Sequence, residues 1–250
     1  MPHFDFKIEY FDKIDSTNTE LKRRAQMGAP SGTVLVADEQ TAGRGRMGRS
    51  FFSPRGSGLY MSFLVRPVCL EHAGLITTLT AVSVARALES MGVSVQIKWI
   101  NDLVSGGKKL CGILAEAGMV EGDPFAVIGI GINLRNTAFP LELSEIATSV
   151  EAQTGIIPHR EQLVHEILKE FSHLYETMQI NSSFVMDEYR ARCMTIGQTV
   201  RVTPLSGTPY DAVALSVEDD GTLLVRPLCP ENASPIRLSS AEVSARFIEI

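Results

Sequence analysis

Apolar and polar residues alternate from Lys7 to Ile14, the period of a half-buried strand. The next run, Asp15-Ser16-Thr17-Asn18-Thr19-Glu20, places Thr17 and Glu20 at capping-box spacing, so a helix is expected to about Met27, ended by Gly28. Capping accounts for one hydroxyl better than for two and an Asn. Thr33–Ala37 and Leu59–Val65 read as buried strands on either side of a loop rich in Gly and Arg. From Leu75 to Met91 the period lengthens to that of a helix, with Leu75, Leu79, Val82 and Leu88 on one face and Gly92 after it. Val95–Trp99 is a strand that empties into Asn101-Asp102. Ser105-Gly106-Gly107 is a hairpin turn, from which Lys109–Glu116 returns. Phe125–Asn133 is a further strand, in which Gly129 and Gly131 mark close approach of a ligand or another backbone. Glu161 to about Gln179 is an amphipathic helix and Phe184–Cys193 a shorter one. After Thr195 the chain changes to short strands parted by turns: Thr199–Pro204, Tyr210–Val217, Leu223–Pro227, Ile236–Leu238 and Val243–Phe247. Asp219-Asp220-Gly221 is the strongest turn signal there, a better reading of that Asp pair than acid–base chemistry. The organisation expected is a large α+β unit over 1–194 and a small β-barrel-like unit over 195–250.

With 44% apolar residues the chain has ample material for a core, and 21% charged residues is ordinary for a soluble protein. Its 23 Lys and Arg against 29 Asp and Glu give a net charge of −6, which argues against general nucleic-acid binding. One segment runs against this balance. Between Glu39 and Glu71 there is no Asp, Glu or Lys, but there are five arginines (Arg44, Arg46, Arg49, Arg55 and Arg66) and five glycines (Gly43, Gly45, Gly48, Gly56 and Gly58). Glycine lets the backbone curl and approach a ligand, and clustered guanidinium forks with free N–H groups suit an anion, above all a phosphate. A solvated basic loop and a nucleic-acid-binding Gly/Arg segment interleaved with Phe51 and Phe52 are competing readings. The segment occurs once and runs straight into an apolar strand, which favours a small phosphate-bearing ligand.

Other chemistries lack their signatures. Cys69, Cys111, Cys193 and Cys229 form no CxxC pair, so reduced, mostly buried thiols are expected rather than zinc or redox sites. His159, His165 and His173 are not at the i, i+4 spacing of a metal-binding helix. No Gly-x-Ser-x-Gly elbow supports a covalent hydrolase. Gly43-Arg-Gly45-Arg-Met-Gly48 matches a dinucleotide fingerprint only formally, because its arginines and the strand after it contradict that context. No basic-then-apolar leader opens the chain and no apolar run reaches the ~18 residues needed to span a bilayer, so a cytoplasmic protein is expected. What remains is a set of polar positions at strand ends and loops, from Ser16, Thr17 and Asn18 through Gln40, Arg44 and Arg46 to Asn101, Asp102, Lys109 and Asn133. Lys109 begins an apolar strand, where it is either an edge residue snorkelling to solvent or part of a site.

Ser16-Thr17-Asn18, Thr41-Ala-Gly-Arg-Gly-Arg-x-Gly-Arg49, Lys98-Trp-x-Asn-Asp102, Lys109-x-x-Gly-Ile-Leu114 and Gly129-x-Gly-x-Asn133 together resemble, in order and spacing, the motifs of the biotin protein ligases. The likeness covers nearly the whole chain. It implies an α+β catalytic domain like that of class II synthetases, a mixed, largely antiparallel sheet with helices on one side, followed by a small SH3-like β-barrel. It also implies a two-step reaction: biotin and MgATP give biotinyl-5′-adenylate and pyrophosphate, and the biotinyl group then passes to a lysine of a biotin carboxyl carrier domain. Biotin's carboxylate is ionised at neutral pH, so the first step needs no general base. It needs two anions brought together and the charge on the α-phosphate neutralised. By this likeness Ser16, Thr17, Asn18 and Gln40 hold or line the ureido end, and Gly43, Arg44, Gly45 and Arg46 close over the biotinyl-adenylate junction. Gly112, Ile113 and Leu114 wall the biotin site. Lys109 neutralises the carboxylate and α-phosphate, and Asp102 organises the adenylate and the incoming lysine. Arg46, Arg49, Phe51, Trp99, Asn101 and Asn133 fall on the nucleotide side. The catalytic set implied is therefore Lys109, Arg46, Arg44 and Asp102, with Mg²⁺ arriving on ATP and no metal ligand assigned on the protein.

The chain departs from the family pattern at three places. Ile100 stands where Pro is common, Met47 where Arg is frequent, and Phe51 where Trp is frequent. Loss of Pro puts the stiffness of the turn before Asn101 in question, and Phe51 keeps an aromatic face without the indole donor. None removes a charge from the implied chemistry. No helix-turn-helix precedes the first motif, so a DNA-binding repressor role is not expected; a homodimer is common among such ligases. Repulsion and chain entropy make closure of the 43–55 loop costly, so the loop is expected to be mobile without ligand and to order when the adenylate forms. Lipoate or octanoate attachment on a related scaffold is the neighbouring alternative, against which the Gly-Arg-Gly-Arg block argues.

Overall fold

In chain order the elements begin with β1 (Lys7–Phe11), α1 (Thr17–Gln26), β2 (Thr33–Ala37), a 3-10 turn (Arg46–Gly48), β3 (Gly58–Val65) and α2 (Ala73–Glu89). They continue with β4 (Gln96–Lys98), β5 (Asp102–Ser105), β6 (Lys108–Val120), β7 (Asp123–Asn133), α3 (Leu141–Ser144), α4 (Val150–Thr154), α5 (Arg160–Ile180) and α6 (Ser182–Arg192). The last five are β8 (Thr199–Thr203), β9 (Tyr210–Val217), β10 (Leu223–Pro227), β11 (Ile236–Leu238) and β12 (Glu242–Ala245). This computed structural model describes residues 4–66, 73–136, 139–204, 206–230, 232–239 and 242–245.

β1 to β7 form a 7-stranded sheet in the order β1-β2-β3-β7-β6-β5-β4. Only β1 and β2 run parallel; the other pairs are antiparallel. The sheet is thus mixed and largely antiparallel, as expected. Its helices are not on one side, however. β2 is buried at both parities of its Val-Leu-Val-Ala run, and an interior strand that is apolar on both faces needs cover on both. One face carries Val34, Val36, Phe63, Val65 and Ile128 into the main core with α2, α5 and α6. On the other face Leu21 and Ala25 of α1 meet Leu35, Leu64, Phe125 and Val127. The hydroxyls that α2 buries are satisfied within its own turns, Thr80 donating to the Ile76 carbonyl at 2.6 Å and Ser83 to that of Leu79 at 2.9 Å.

Three local features place the site. The N-cap of α1 is Ser16, whose Oγ accepts from the Thr19 N–H at 3.4 Å. Thr17, expected as the cap, lies in the first turn instead, because the helix opens one residue earlier than the capping-box spacing implies. Gly106 and Gly107 both have positive φ (58° and 76°), as the primed two-residue hairpin between β5 and β6 requires. β5 also pairs with β4, so Asp102 stands in a strand rather than in the loop expected. Finally, the β5–β6 ladder slips between Leu103 and Val104: Leu103 faces Cys111, but Val104 faces Lys109. This β-bulge lets Leu110 and Cys111, neighbours in sequence, both enter the main core. It turns Lys109 to the same side as Gly112, which a regular strand would not do for residues three apart.

β8 to β12 form a second, 5-stranded antiparallel sheet in the order β11-β10-β9-β8-β12. Four of its strands lie where the sequence pattern put them. The fifth covers Glu242–Ala245, and the remaining residues of the expected Val243–Phe247 strand lie outside the described residues. Over the described residues β11 and β12 stand at the two edges of this small antiparallel unit. Its inner residues Val200, Val202, Ala212, Ala214 and Val225 join the same apolar cluster as the large sheet. Cys111 and Cys193 are buried and Cys229 is exposed; Cys69 lies outside the described residues. Among the described helices none is long and apolar enough to cross a membrane.

Candidate active site

α1 covers only part of its face of the large sheet. Beyond it the same face presents Ser62, Gly129, Gly131 and Gly112, whose cross-strand pairings (Ser62 with Gly129, Gly112 with Gly131) make a low floor. Small residues are needed there because other side chains lie on them. A Cβ on Gly129 would stand 2.0 Å from Asn18 Oδ1, and one on Gly131 would stand 2.5 Å from the Phe51 ring. The close approach read from these glycines is therefore made by side chains. Above the floor is a cavity of ≈ 160 Å³.

At one end, polar side chains form a connected chain. Gln40 Oε1 accepts from the Thr17 N–H at 2.9 Å, and Gln40 Nε2 donates to Ser53 Oγ at 3.0 Å. Ser62 Oγ lies 2.7 Å from Thr17 Oγ1 and 2.6 Å from Asn18 Oδ1. Thr17 Oγ1 donates its own proton to Gln40 Oε1 at 3.1 Å, so the single Ser62 proton is shared between two acceptors, Thr17 Oγ1 and Asn18 Oδ1. Asn18 Nδ2 donates to the Leu114 carbonyl at 3.2 Å and to Glu116 Oε2 at 3.1 Å. Ser16, Thr17 and Asn18 are all buried, which fixes a small hydrogen-bonding array for a polar ligand group.

The other end is charged. Lys109 Nζ stands 2.8 Å from Asp102 Oδ1. Arg46 Nη1 donates to Asn101 Oδ1 at 2.9 Å, while Asn101 Nδ2 donates to the Ile113 carbonyl at 2.9 Å. Arg44, Arg49 and Lys98 also line the cavity, and Asp102 is the only carboxylate among the lining residues. In a chain of net charge −6 this is a strongly cationic pocket. Phe51 lies across the middle, its ring edge-on to Tyr60 at 6.4 Å between centroids. Trp99 closes one wall; its indole N–H donates to the Gly221 carbonyl of the β9–β10 turn at 3.0 Å, tying the second sheet to the pocket. Its peptide bond to Ile100 is cis.

Most of the residues singled out from the sequence meet here. Ser16, Thr17, Asn18, Gln40, Arg44, Gly45, Arg46, Arg49 and Phe51 line the cavity, as do Trp99, Asn101, Asp102, Lys109, Gly112, Ile113 and Leu114. Two do not. Gly43 packs inside the loop, where a Cβ would stand 2.4 Å from the Phe51 carbonyl oxygen. Asn133 turns to α4's side, donating to the Thr148 carbonyl at 3.0 Å. The five arginines also separate. Arg55 stands 3.6 Å from Glu39 on the surface, and Arg66 donates to the Ala25 carbonyl with its guanidinium over Phe125. Ser62 and Glu116 were missed. Ser62 was detectable as the one polar residue in the otherwise apolar Leu59–Val65 run. Glu116 is the next same-face position after Gly112 and Leu114. Burial pushes its carboxyl up, but Asn18, Arg44 and Lys22 outweigh that and hold it below the usual carboxylate value.

No His or Cys lines the cavity, and burial pushes the nearby Cys111 thiol well up, away from thiolate. The arrangement suits orientation of an elongated ligand and neutralisation of its negative charge rather than covalent catalysis by a side chain. Fold and pocket define a small-molecule-binding α+β protein with a polar recognition end and a cationic end suited to anionic groups. Residues 10–133 match the model of the biotin/lipoate A/B protein ligase family. The chain is 38% identical over 222 residues to the bifunctional ligase/repressor BirA of Bacillus spizizenii, covering 86% of this chain and 68% of that one. It is 34% identical over 225 residues to the biotin–[acetyl-CoA-carboxylase] ligase of Mycobacterium tuberculosis, covering 87% and 82% of the two. The biotin protein ligase of Aquifex aeolicus, solved in complex with biotin and ATP, superposes with a TM-score of 0.82 at 29% identity over 97% of this chain and 99% of that one. The chain belongs to the biotin/lipoate A/B protein ligase family.

Proposed function

We propose that this protein is an ATP-dependent biotin–protein ligase. A biotin carboxylate oxygen attacks the α-phosphorus of ATP, the bond to the β-phosphate breaks, and pyrophosphate leaves. The lysine amine of a biotin carboxyl carrier domain then attacks the activated carbonyl and AMP leaves. The observation that carries this reading is one cavity joining a neutral hydrogen-bonding array at Thr17, Asn18 and Gln40 to a cationic end at Lys109 and Arg46. A ureido ring with a carboxylate at the far end of its alkyl chain has the same polarity. Lys109 holds the carboxylate beside the α-phosphate, and Asp102, next to it, organises the adenylate and the incoming amine. Arg46, Asn101, Arg49, Phe51 and Trp99 take the nucleotide side. Asn133, bonded to Thr148, acts by supporting that wall. Mg²⁺ enters as part of the ATP substrate; among the described residues no group of three or more His, Cys, Asp or Glu is placed to hold a metal.

In this reading residues 1–194 are the catalytic unit and 195–250 a small accessory unit. The protein is cytoplasmic and forms a homodimer, as is common for such ligases; sedimentation velocity tests the dimer. The 43–55 loop orders as the adenylate forms and shields it from water. Protection of that loop from protease by biotin with ATP supports this, and equal cleavage with and without them overturns it.

The decisive test is biotin-dependent exchange of labelled pyrophosphate into ATP. The wild type should exchange, and Lys109→Ala should lose ~100-fold or more, the scale of removing one preorganised charge from a transition state. Its folding stability should change by less than about 1 kcal/mol, because the Lys109–Asp102 pair is partly exposed. Full exchange in the variant would remove Lys109 from the chemistry. Exchange driven only by lipoate or octanoate would move the protein to the other branch of its family.

A further inference from the structure

Glu116 does not line the cavity but stands behind Asn18 at its recognition end, and its carboxylate is shared by three elements. Oε2 accepts from Asn18 Nδ2 of α1 at 3.1 Å and stands 3.0 Å from Arg44 Nη1 of the Gly/Arg loop. Oε1 stands 3.3 Å from Lys22 Nζ on the outer side of α1. The Glu116 side chain is only 15% exposed, whereas Arg44 is 44% and Lys22 37% exposed. Thus a mostly buried carboxylate on β6 holds two partly exposed cations and one buried amide. The amide matters most. Asn18 Oδ1 is bound to Ser62, and Nδ2 has two protons, one for Leu114 and one for Glu116. Glu116 therefore completes the set of bonds that fixes which way the Asn18 amide faces.

The placement of the two loop arginines gives this a consequence. Arg46 is tied at Asn101, which bonds Ile113; Arg44 is tied at Glu116, three residues and about 10 Å further along β6. Between these anchors the loop closes on itself through the Gly45 N–H to the Arg49 carbonyl (2.7 Å) and the Arg44–Ser50 bridge. Opening the loop at the recognition end requires breaking Arg44 from Glu116. The oxygen that holds Arg44, Oε2, is also the one that accepts from Asn18, so the loop contact and the Asn18 amide share one acceptor.

We propose that Glu116 is a positioning residue that latches the Gly/Arg loop at the recognition end and couples loop closure to the orientation of Asn18. It rests on the biotin-ligase reading for the identity of the ligand, biotin. Glu116 touches neither reacting atom, so the latch acts on retention of biotin and of its adenylate, not on the bond-making step.

Glu116→Gln keeps the shape and removes the charge that holds Arg44. In pyrophosphate exchange its biotin KM should rise about tenfold, the factor equivalent to ~1.4 kcal/mol, with kcat within about twofold of wild type. Dissociation of preformed biotinyl-adenylate should accelerate by a similar factor, and protease cleavage at Arg44 with biotin present should increase. Glu116→Asp, which keeps the charge, should recover part of the KM. Lys22→Met, which removes the outer cation only, should leave both constants unchanged. If Glu116→Gln fails to fold, Arg44→Gln tests the same contact from the loop side and should give the same rise in KM and in adenylate release. Unchanged KM and release in Glu116→Gln overturn the latch, as does a loss confined to kcat. Absence of exchange in the wild type is a separate result that overturns the ligase reading instead.

Discussion

Gly129→Ala puts a single methyl group on the pocket floor, and its effect is set by geometry. The new Cβ would lie 2.0 Å from Asn18 Oδ1, 2.8 Å from its Cγ and 3.1 Å from its Nδ2. β7 cannot retreat, because it is paired on both sides by β3 and β6. Asn18 must swing away instead, and it then loses Ser62 (2.6 Å), the Leu114 carbonyl (3.2 Å) and Glu116 (3.1 Å). Forcing a methyl into a packed site costs ~1–3 kcal/mol, and each broken bond adds ~1 kcal/mol, somewhat more for the one to a carboxylate. The better strand propensity of Ala offsets ~0.5–1 kcal/mol of this. A net destabilisation of ~3–5 kcal/mol is expected in urea unfolding, together with a loss of at least ~100-fold in biotin affinity by calorimetry. The double variant Asn18→Ala/Gly129→Ala is the sharper test. With Asn18 gone the methyl has nothing to strike, so the double variant should be no less stable than Asn18→Ala alone, a coupling as large as the ~3–5 kcal/mol cost of the single variant. Strict additivity would mean that the glycine is not there to make room for Asn18, and the account of the pocket floor would be wrong.

Two further outcomes follow from contacts away from the reacting groups. Trp99→Phe keeps an aromatic wall but leaves the Gly221 carbonyl without its indole donor, so it should cost about 2–3 kcal/mol in urea unfolding; a change under ~0.5 kcal/mol would refute a structural tie between the second sheet and the pocket. Glu20 is held at about 2 by its hydrogen bonds to Arg23 and Arg24, against 4.5 unperturbed. Because the folded-state value is the lower one, the carboxylate stabilises the fold above pH 4.5 and that contribution fades as pH falls towards 2. The difference in Tm between wild type and Glu20→Gln should therefore be largest near neutrality and shrink steadily below pH 4.5, disappearing as pH falls through about 2; a difference that grows on acidification would contradict the assignment.

The residues that were legible in the sequence are those whose environment is set by their neighbours in the chain. Tyr210–Val217 and Leu223–Pro227 run between turn residues, and their bounds are those expected. α3 and α4 were not foreseen because four or five residues are too few to show a period. At the site, residue type was readable but direction was not. Lys109 faces Asp102 only because the β5–β6 ladder slips by one residue, and a bulge leaves no mark in an apolar run such as Leu-Cys-Gly-Ile-Leu. The arginines show the same limit from the other side. Their spacing suggested one repelling cluster, yet Arg44 and Arg46 are anchored at opposite ends of the pocket, and Arg55 and Arg66 belong to other surfaces. Charge repulsion within the loop is therefore smaller than a count of its arginines implies, because their partners lie in other segments: Glu116 on β6, Asn101 in the turn before β5, Glu39 after β2 and Ala25 in α1. Glu116 and Asn101 tie two of the loop's arginines to the large sheet and its flanking turn, so substitutions at those anchors should alter its closure more than Gly48→Ala, whose Cβ would meet nothing within 4 Å.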